Sequence, residues 1–348
     1  MRILITGGCG FIGSHVAEAY LDEGYEVFVI DNLSVGKMEY LPDKANFEEM
    51  DIRSPDVERF MRKVKPDIVS HHAANVSLRK ATKEPINDAK INITGTLNVL
   101  QSCVKSSVRR IIFASSATVY GVHDSFPISE QHMALPISYH GVGKLACEHY
   151  LYAFKKLGKT NYISLRYSNV YGPRQNIFCE SGVVAAFLNI LINKKSNGKI
   201  FINGDGTQVR DFVYIADVVT ANVLAIKHGG GIINIGTSIE TTINDLLDKI
   251  IDVTGSKPAE VTSLPFARGE QKKVTLNPKR AFFSLGWTPR ISLKEGLKEY
   301  YEFIKGNDDD KTNGNSSDGN VSAATIIEKS SSVGAKSDIP KLGTDGGE

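Results

Sequence analysis

The chain is poor in the features that mark several functional classes. Cysteine occurs four times in 348 residues, at Cys9, Cys103, Cys147 and Cys179, with no C-x-x-C pair. Structural zinc sites and disulfide frameworks need close, repeated spacing, so a reduced, cytosolic chain with no bound metal is expected. Apolar runs are short, and none approaches the roughly 18 residues that read as a membrane span. The opening "MRILITGGCGFIG" is too rich in glycine for a signal peptide. Charge of one sign is also missing: 41 Lys and Arg stand against 39 Asp and Glu, for a formal net charge of +2. That balance leaves no broad field to gather nucleic acid or an anionic membrane, and neither is expected as a partner. Residues 306–348 contain no aromatic side chain and are rich in Gly, Ser, Asp and Asn. Such a segment buries too little apolar surface to offset its ordering entropy, so a disordered tail is expected, with "SAATIIEK" as a transient helix.

What is present is alternation. "RILIT", "EVFVID", "DIVSHHAA", "RIIFASSA" and "YISLRYSN" are continuous apolar runs, the mark of parallel strands buried on both faces. Helical patterns lie between them at 12–22, 55–64, 87–106 and 139–157. Strand, helix, strand repeated in this way predicts a doubly wound α/β (Rossmann) fold. From about residue 170 the pattern loosens into loops, helices and short strands such as "KIFIN" and "GIINIG". "TTINDLLDKIIDVTG" predicts an amphipathic helix begun by Thr242 or Asn244 and stopped by Gly255.

A cofactor site is legible near the start. Gly7, Gly10 and Gly13 follow the first strand and open the first helix with G-x-x-G-x-x-G spacing. A tight turn, close backbone approach to a pyrophosphate and close helix–strand packing all call for glycine there. Asp31 ends the second strand, where a carboxylate grips ribose hydroxyls and repels a 2′-phosphate, favouring NAD over NADP. Asp51 and Ile52 follow a third short strand at a position suited to the adenine edge. Ala73 and Ala74 end the fourth and let a ribose lie close to the backbone. His71 and His72 are adjacent on a strand and point to opposite faces, so they are expected to be core or supporting residues rather than metal ligands.

The runs "TGGCGFIGSHV", "VIDNLSVG", "MDIR", "HHAA", "NITGTLNVL", "SSATVYG", "KLACEHY", "RYSNVYGPRQ" and "GDGTQVRDFVYIADV" occur in order over residues 1 to about 303. In them the chain resembles the extended short-chain dehydrogenase/reductase family, and within it the nucleotide-sugar epimerases of the UDP-glucose 4-epimerase type. The resemblance implies a Rossmann domain over 1–166. A smaller substrate domain follows over 167–305, with segments returning to the Rossmann sheet. It also implies a bound NAD, a nucleotide-sugar substrate (a UDP-sugar) and a homodimer paired through the helices of 87–106 and 139–157. To the cofactor contacts it adds Phe11, Ile12, Asn32, Asn92, Lys144 and Tyr167.

The reaction it implies is C4 epimerisation through a transient 4-keto sugar. The family's base is a tyrosine whose pKa of about 10 is lowered by a lysine one helical turn later. A Ser or Thr at the end of the fifth strand shares its hydrogen bond. Here Ser116 matches that serine, with Ser115 and Thr118 beside it. Dehydratase and decarboxylase relatives carry an acidic residue where Thr118 stands, which argues against both activities. Lys144 is in place, but "YHGVGK" puts His140 at the tyrosine position and Tyr139 one residue early. Three arrangements are open. His140 is the base, although imidazole is shorter than phenol by roughly 2 Å, a misplacement able to cost on the order of 10²-fold. Alternatively a bulge brings Tyr139 into the site, although a five-residue spacing leaves it about 140° from Lys144. In the third, the protein binds NAD and a nucleotide sugar with little or no turnover.

On the substrate side the resemblance implies that Asn169 bonds the diphosphate and that Arg210 neutralises it through its planar fork. The position that usually carries an aromatic against uracil is Asn203, with Phe201 two residues earlier on the same face as a substitute. Arg268 stands next to Gly269 rather than two residues before it and reaches the phosphate less securely. Val274 lies near the position that controls room around C2 of the sugar, leaving UDP-glucose and UDP-N-acetylglucosamine both open.

Overall fold

The computed structural model describes residues 1–158, 160–176, 182–193, 198–266 and 271–313. Seven parallel strands form the central sheet. They are β1 (Arg2–Thr6), β2 (Glu26–Asp31), β3 (Asn46–Glu49), β4 (Ile68–His71), β5 (Arg110–Ser116), β6 (Asn161–Tyr167) and, later in the chain, a strand at Gly231–Ile235. In space that late strand lies beside β6, followed by β5, β4, β1, β2 and β3. The order reverses between β1 and β4, and an open α/β sheet binds its ligands in the crevice at such a switch point.

Alternate residues of each strand enter opposite layers. Ile3, Ile5, Val27, Val29 and Ile112 pack on the side of the first helix, α1 (Phe11–Asp22). Leu4, Ile30, Val69, Ile111 and Phe113 pack on the other side, under α2 (Asp56–Val64), α5 (Gly95–Lys105) and α6 (Tyr139–Leu157). This two-sided burial is why the strands read as unbroken apolar runs. The short helices α3 (Leu78–Lys83) and α4 (Pro85–Ala89) precede a π-helical turn, Lys90–Thr94, which leads into α5. The long helix expected over 87–106 is therefore interrupted. A π turn leaves no mark in hydrophobic period, so the sequence could not reveal it.

The second half adds β7 (Asn169–Tyr171), α7 (Val183–Asn193), β8 (Lys199–Asn203), β9 (Val209–Arg210), β10 (Phe212–Tyr214) and α8 (Ile215–Ala225). After the sheet strand β11 (Gly231–Ile235) come β12 (Thr241–Thr242), α9 (Ile243–Thr254), β13 (Glu260–Leu264), α10 (Lys279–Leu285) and α11 (Leu293–Asn313). Three small ladders, β7 with β10, β9 with β12 and β8 with β13, hold the segments after β6 together. α9 starts at Thr242, whose side chain accepts the Asp245 N–H in a capping box, and stops at left-handed Gly255. α11 runs eight residues past the expected start of the tail at Gly306, and 314–348 lie outside the described residues. Among the described residues no helix is long and apolar enough to cross a membrane.

Candidate active site

Two groups of residues meet at the switch-point crevice. The first is the turn after β1. Gly10 is the N-cap of α1 and offers no side-chain cap, so the first-turn N–H groups remain for an anion. At Gly13 a Cβ would collide with the carbonyl of Gly7, and Gly7 itself takes a left-handed backbone that favours glycine. Phe11 and Ile12 form the first turn and pack partly against the core. Asp31 is 8 % exposed. Its Oδ2 accepts the Cys9 N–H at 3.0 Å and its Oδ1 the Leu33 N–H at 2.9 Å. A carboxylate has about four acceptor positions, so two remain for ribose hydroxyls. Asn32 donates to Asp51 Oδ2 at 2.9 Å, and Arg53 bonds both oxygens of Asp51, which holds its carboxyl well below the usual range. The Ala73 N–H lies 3.3 Å from Thr6 Oγ1, and Ala73 and Ala74 are half-buried beside the turn.

Three residues assigned to the cofactor have buried side chains with partners inside the protein. Ile52 is 5 % exposed, packs in the core and sits against Gly95. Tyr167 is 5 % exposed and its hydroxyl donates to Asn222 Oδ1 of α8 at 3.1 Å. Asn92, 3 % exposed, lies inside a polar cluster with Asn75 and Asp88. In each case an apolar or polar packing demand on the element claims the side chain.

His71 and His72 are supporting residues. His71 Nδ1 is 2.5 Å from Thr6 Oγ1 and its Nε2 2.9 Å from Thr96 Oγ1; His72 Nε2 is 2.9 Å from Ser70 Oγ. Burial pushes both histidines down to about 3 and keeps them neutral. Among the described residues no three His, Cys, Asp or Glu gather as a metal site.

The second group is carried by β5 and α6. Ser116 ends β5, and its Oγ accepts the Thr118 N–H at 3.2 Å and the Thr118 hydroxyl at 2.9 Å. α6 begins with Ser138 as N-cap, its side chain accepting the Gly141 N–H. A Cβ at Gly141 would stand 2.6 Å from the Thr118 carbonyl. Glycine thus lets the first turn of α6 settle directly on the turn that holds Ser116. His140 and Lys144 share the buried face of that helix, 7 % and 6 % exposed. Lys144 Nζ donates to the Ala114 carbonyl at 2.7 Å and lies 4.9 Å from the Phe113 ring centre. Burial lowers it to about 8. Burial, with the Lys144 charge adding to it, lowers His140 to about 4.

Tyr139 is not brought to this face. α6 is α-helical from its first residue with no bulge, and Tyr139 is 54 % exposed. The five-residue spacing then leaves it about 140° from Lys144.

Glu148, one turn beyond Lys144, was not assigned a role from the sequence although the four-residue spacing placed it on the same face. It is 2 % exposed and accepts from Ser115 at 2.6 Å, from Ser164 at 3.0 Å and from Arg166 through two nitrogens. One carboxylate therefore ties α6 to both β5 and β6.

The substrate-side residues come from the small ladders. The Asn169 N–H donates to the Asp211 carbonyl at 2.9 Å, which sets "RYSN" beside "VRDF". Arg210 is 8 % exposed and donates to the Val209 carbonyl, while the Asp211 carboxylate turns to Thr237, Ser238 and Leu276. Phe201 and Asn203 lie on one half-buried face of β8. Beside them Phe266, 37 % exposed, rests against Gly204, an aromatic that no sequence pattern singled out. Val274 is 3 % exposed and packs in the core with Ala117, Val119 and Tyr120. Arg268 lies outside the described residues.

Residues 3–236 match the family model for the NAD dependent epimerase/dehydratase family. A protein of Methanocaldococcus jannaschii named putative UDP-glucose 4-epimerase is 39 % identical, aligned over 88 % of this chain and 99 % of its own. The crystal structure of UDP-glucose 4-epimerase from Thermotoga maritima with UDP-glucose has a TM-score of 0.85 at 41 % identity, covering 88 % of this chain and 99 % of that one. UDP-N-acetylglucosamine 4-epimerase from Methanobrevibacter ruminantium, in complex with UDP-N-acetylmuramic acid, has a TM-score of 0.82 at 32 % identity, with coverage of 88 % and 98 %.

Proposed function

The chain belongs to the NAD dependent epimerase/dehydratase family, and we propose that it interconverts C4 epimers of a UDP-sugar with His140 as the base. The observation that carries this reading is the pairing of His140 and Lys144 on one buried face of α6, with the first turn of that helix seated on the Ser116–Thr118 turn.

The site accommodates NAD. The Gly7–Gly13 turn and the uncapped start of α1 would receive the pyrophosphate, and Asp31 would take the ribose hydroxyls and disfavour a 2′-phosphate. When bound, NAD would supply the acceptor, and afterwards the donor, for a hydride at C4 of the sugar. The chain supplies the proton chemistry. His140, neutral near pH 7 because burial disfavours its charged form, takes the proton of the C4 hydroxyl and later returns it. Ser116, held by Thr118, hydrogen-bonds the same oxygen. Lys144, mostly charged at pH 7, stabilises negative charge developing there and keeps the imidazole unprotonated. Asn169 and Arg210 hold the diphosphate, with Phe201 and Asn203 near the base. With Val274 in the core, nothing in this reading excludes an N-acetyl group at C2, and UDP-glucose and UDP-N-acetylglucosamine are both candidates.

The division into a cofactor domain over 1–166 and a substrate domain over 167–305 belongs to the same proposal. So do a cytoplasmic location and a homodimer paired through α5 and α6. Val104, Val142, Tyr150 and Tyr152 are large apolar or aromatic residues exposed on those two helices.

The test is turnover. Purified protein with NAD and each UDP-sugar in turn is followed by proton NMR of the anomeric signals. Appearance of the C4 epimer from either sugar is expected. Tight binding of NAD and UDP-sugar with no epimer from either would make the chain a binding protein instead.

A further inference from the structure

Behind His140 lies a buried polar cluster that sets which ring nitrogen can act. Asn75 follows β4, Asp88 lies in α4 and Asn92 in the π turn. Asp88 and Asn92 are 2 % and 3 % exposed, so their polar atoms must find partners inside the protein. They find them in one another. Asp88 Oδ1 accepts from Asn75 Nδ2 at 2.8 Å and from Asn92 Nδ2 at 3.0 Å. Asn92 Oδ1 accepts the Asn75 N–H at 2.7 Å, and Asn92 Nδ2 also donates to the Asn75 carbonyl at 3.1 Å. The same carbonyl is 3.1 Å from His140 Nδ1.

Each partner has one possible polarity. A carboxylate only accepts, so Asp88 turns the NH₂ groups of both asparagines toward itself and thereby fixes both amide orientations. Asn92 is then able to offer its oxygen to the Asn75 N–H, which pins the Asn75 backbone. A carbonyl also only accepts, so the hydrogen in the contact with His140 must sit on Nδ1. In a neutral imidazole that leaves Nε2 as the bare lone pair.

We propose that Asp88, Asn75 and Asn92 form a positioning cluster that holds His140 as its Nδ1–H tautomer and presents Nε2 as the proton acceptor. The logic is that of a base oriented by a third group, with a backbone carbonyl in the orienting place. It also says what a histidine needs here that a tyrosine would not, because a phenol has no tautomer to choose. Burial of the ring, which keeps it neutral, is what makes that choice matter near pH 7. The proposal rests on His140 being the base, yet its test can be read without turnover.

The measurement is a long-range proton–nitrogen correlation spectrum of protein labelled with ¹⁵N in histidine, with His140 assigned through His140→Gln. The ring of His140 is expected to show a protonated Nδ1 and a bare Nε2. A dominant Nε2–H form would overturn the proposal, whatever the turnover assay finds. Asp88→Asn keeps an acceptor oxygen for both amides and is expected to retain the tautomer. Asp88→Ala removes it and is expected to give a mixture, with kcat falling on the order of tenfold or more and KM changing less. An unchanged tautomer and kcat in Asp88→Ala would overturn the role of Asp88. Should Asp88→Ala fail to fold, the wild-type spectrum alone still decides between the two tautomers.

Discussion

Replacing a phenol by an imidazole at residue 140 changes reach, charge and pKa together. A buried tyrosine beside a lysine becomes a base only near or above neutrality, whereas His140 is already proton-free at pH 7, with its pKa brought down to about 4. The acid limb of the pH–rate profile should therefore separate the two. For the wild type, kcat/KM is expected to stay level from pH 7 to about 5 and to decline towards 4. For His140→Tyr the decline is expected to begin near or above pH 7. Coincident acid limbs in initial-rate measurements would show that position 140 does not titrate in the reaction. The sequence exposed this site because Lys144 fixed the helical register four residues away. It did not expose Asn75 or Asp88, because a polar residue in a loop or short helix carries no periodic signal until its neighbours are known. The burial of Val274 and Tyr167 was equally hidden, because a motif match does not report how tightly its side chains pack.

Helix α6 is the element on which the chemistry depends, and one internal carboxylate anchors it. Glu148 and Arg166 are 1 % and 3 % exposed at their side chains, with the bond from Arg166 Nη2 at 2.5 Å. Removing one partner of a buried pair leaves the other charged and unsatisfied, which typically costs about 3–5 kcal/mol. Arg166 owes its raised pKa to Glu148, but a guanidinium stays charged even without that partner, so the loss leaves a buried, unpaired cation. Glu148→Ala is accordingly expected to lose stability of that order in denaturant unfolding, with Ser115 and Ser164 also left without their acceptor. A loss under about 1 kcal/mol would mean that α6 is held by its apolar face alone. At this scale the strands and the α9 cap were legible, since burial on both faces and a Thr-x-x-Asp start write themselves into the sequence. The π turn before α5 was not, because it leaves no mark in the hydrophobic period.

Across the whole molecule, three neutral histidines, two buried and His72 partly buried, couple stability to pH. His71, His72 and His140 have folded pKa values of about 3, 3 and 4, below the ordinary 6.5. The unfolded chain binds more protons below pH 6.5, so this contribution is complete above 6.5 and is lost as pH falls toward the folded values. Each site adds a slope of up to roughly 1.4 kcal/mol per pH unit in that window. The raised carboxyls of Asp88, Asp211 and Asp217 act in the opposite sense, so the difference between variants is the informative quantity. His72→Asn, at a residue with one ring nitrogen bonded to Ser70 and the other unpartnered, is expected to flatten the slope between pH 6.5 and 5. An unchanged slope in unfolding titrations would show that His72 is not buried neutral. The strand order with its reversal between β1 and β4 was foreseeable as a doubly wound sheet, and the return of β11 to that sheet joins the two halves of the chain.

The proposed chemistry rests on proton transfer by the residue at position 140. The most direct measurement compares wild type, His140→Ala and His140→Tyr for C4 epimerisation of UDP-glucose in the presence of NAD, read by proton NMR. The account predicts epimer from the wild type and a fall of about 10²- to 10⁴-fold in His140→Ala. A silent wild type beside an active His140→Tyr would contradict it.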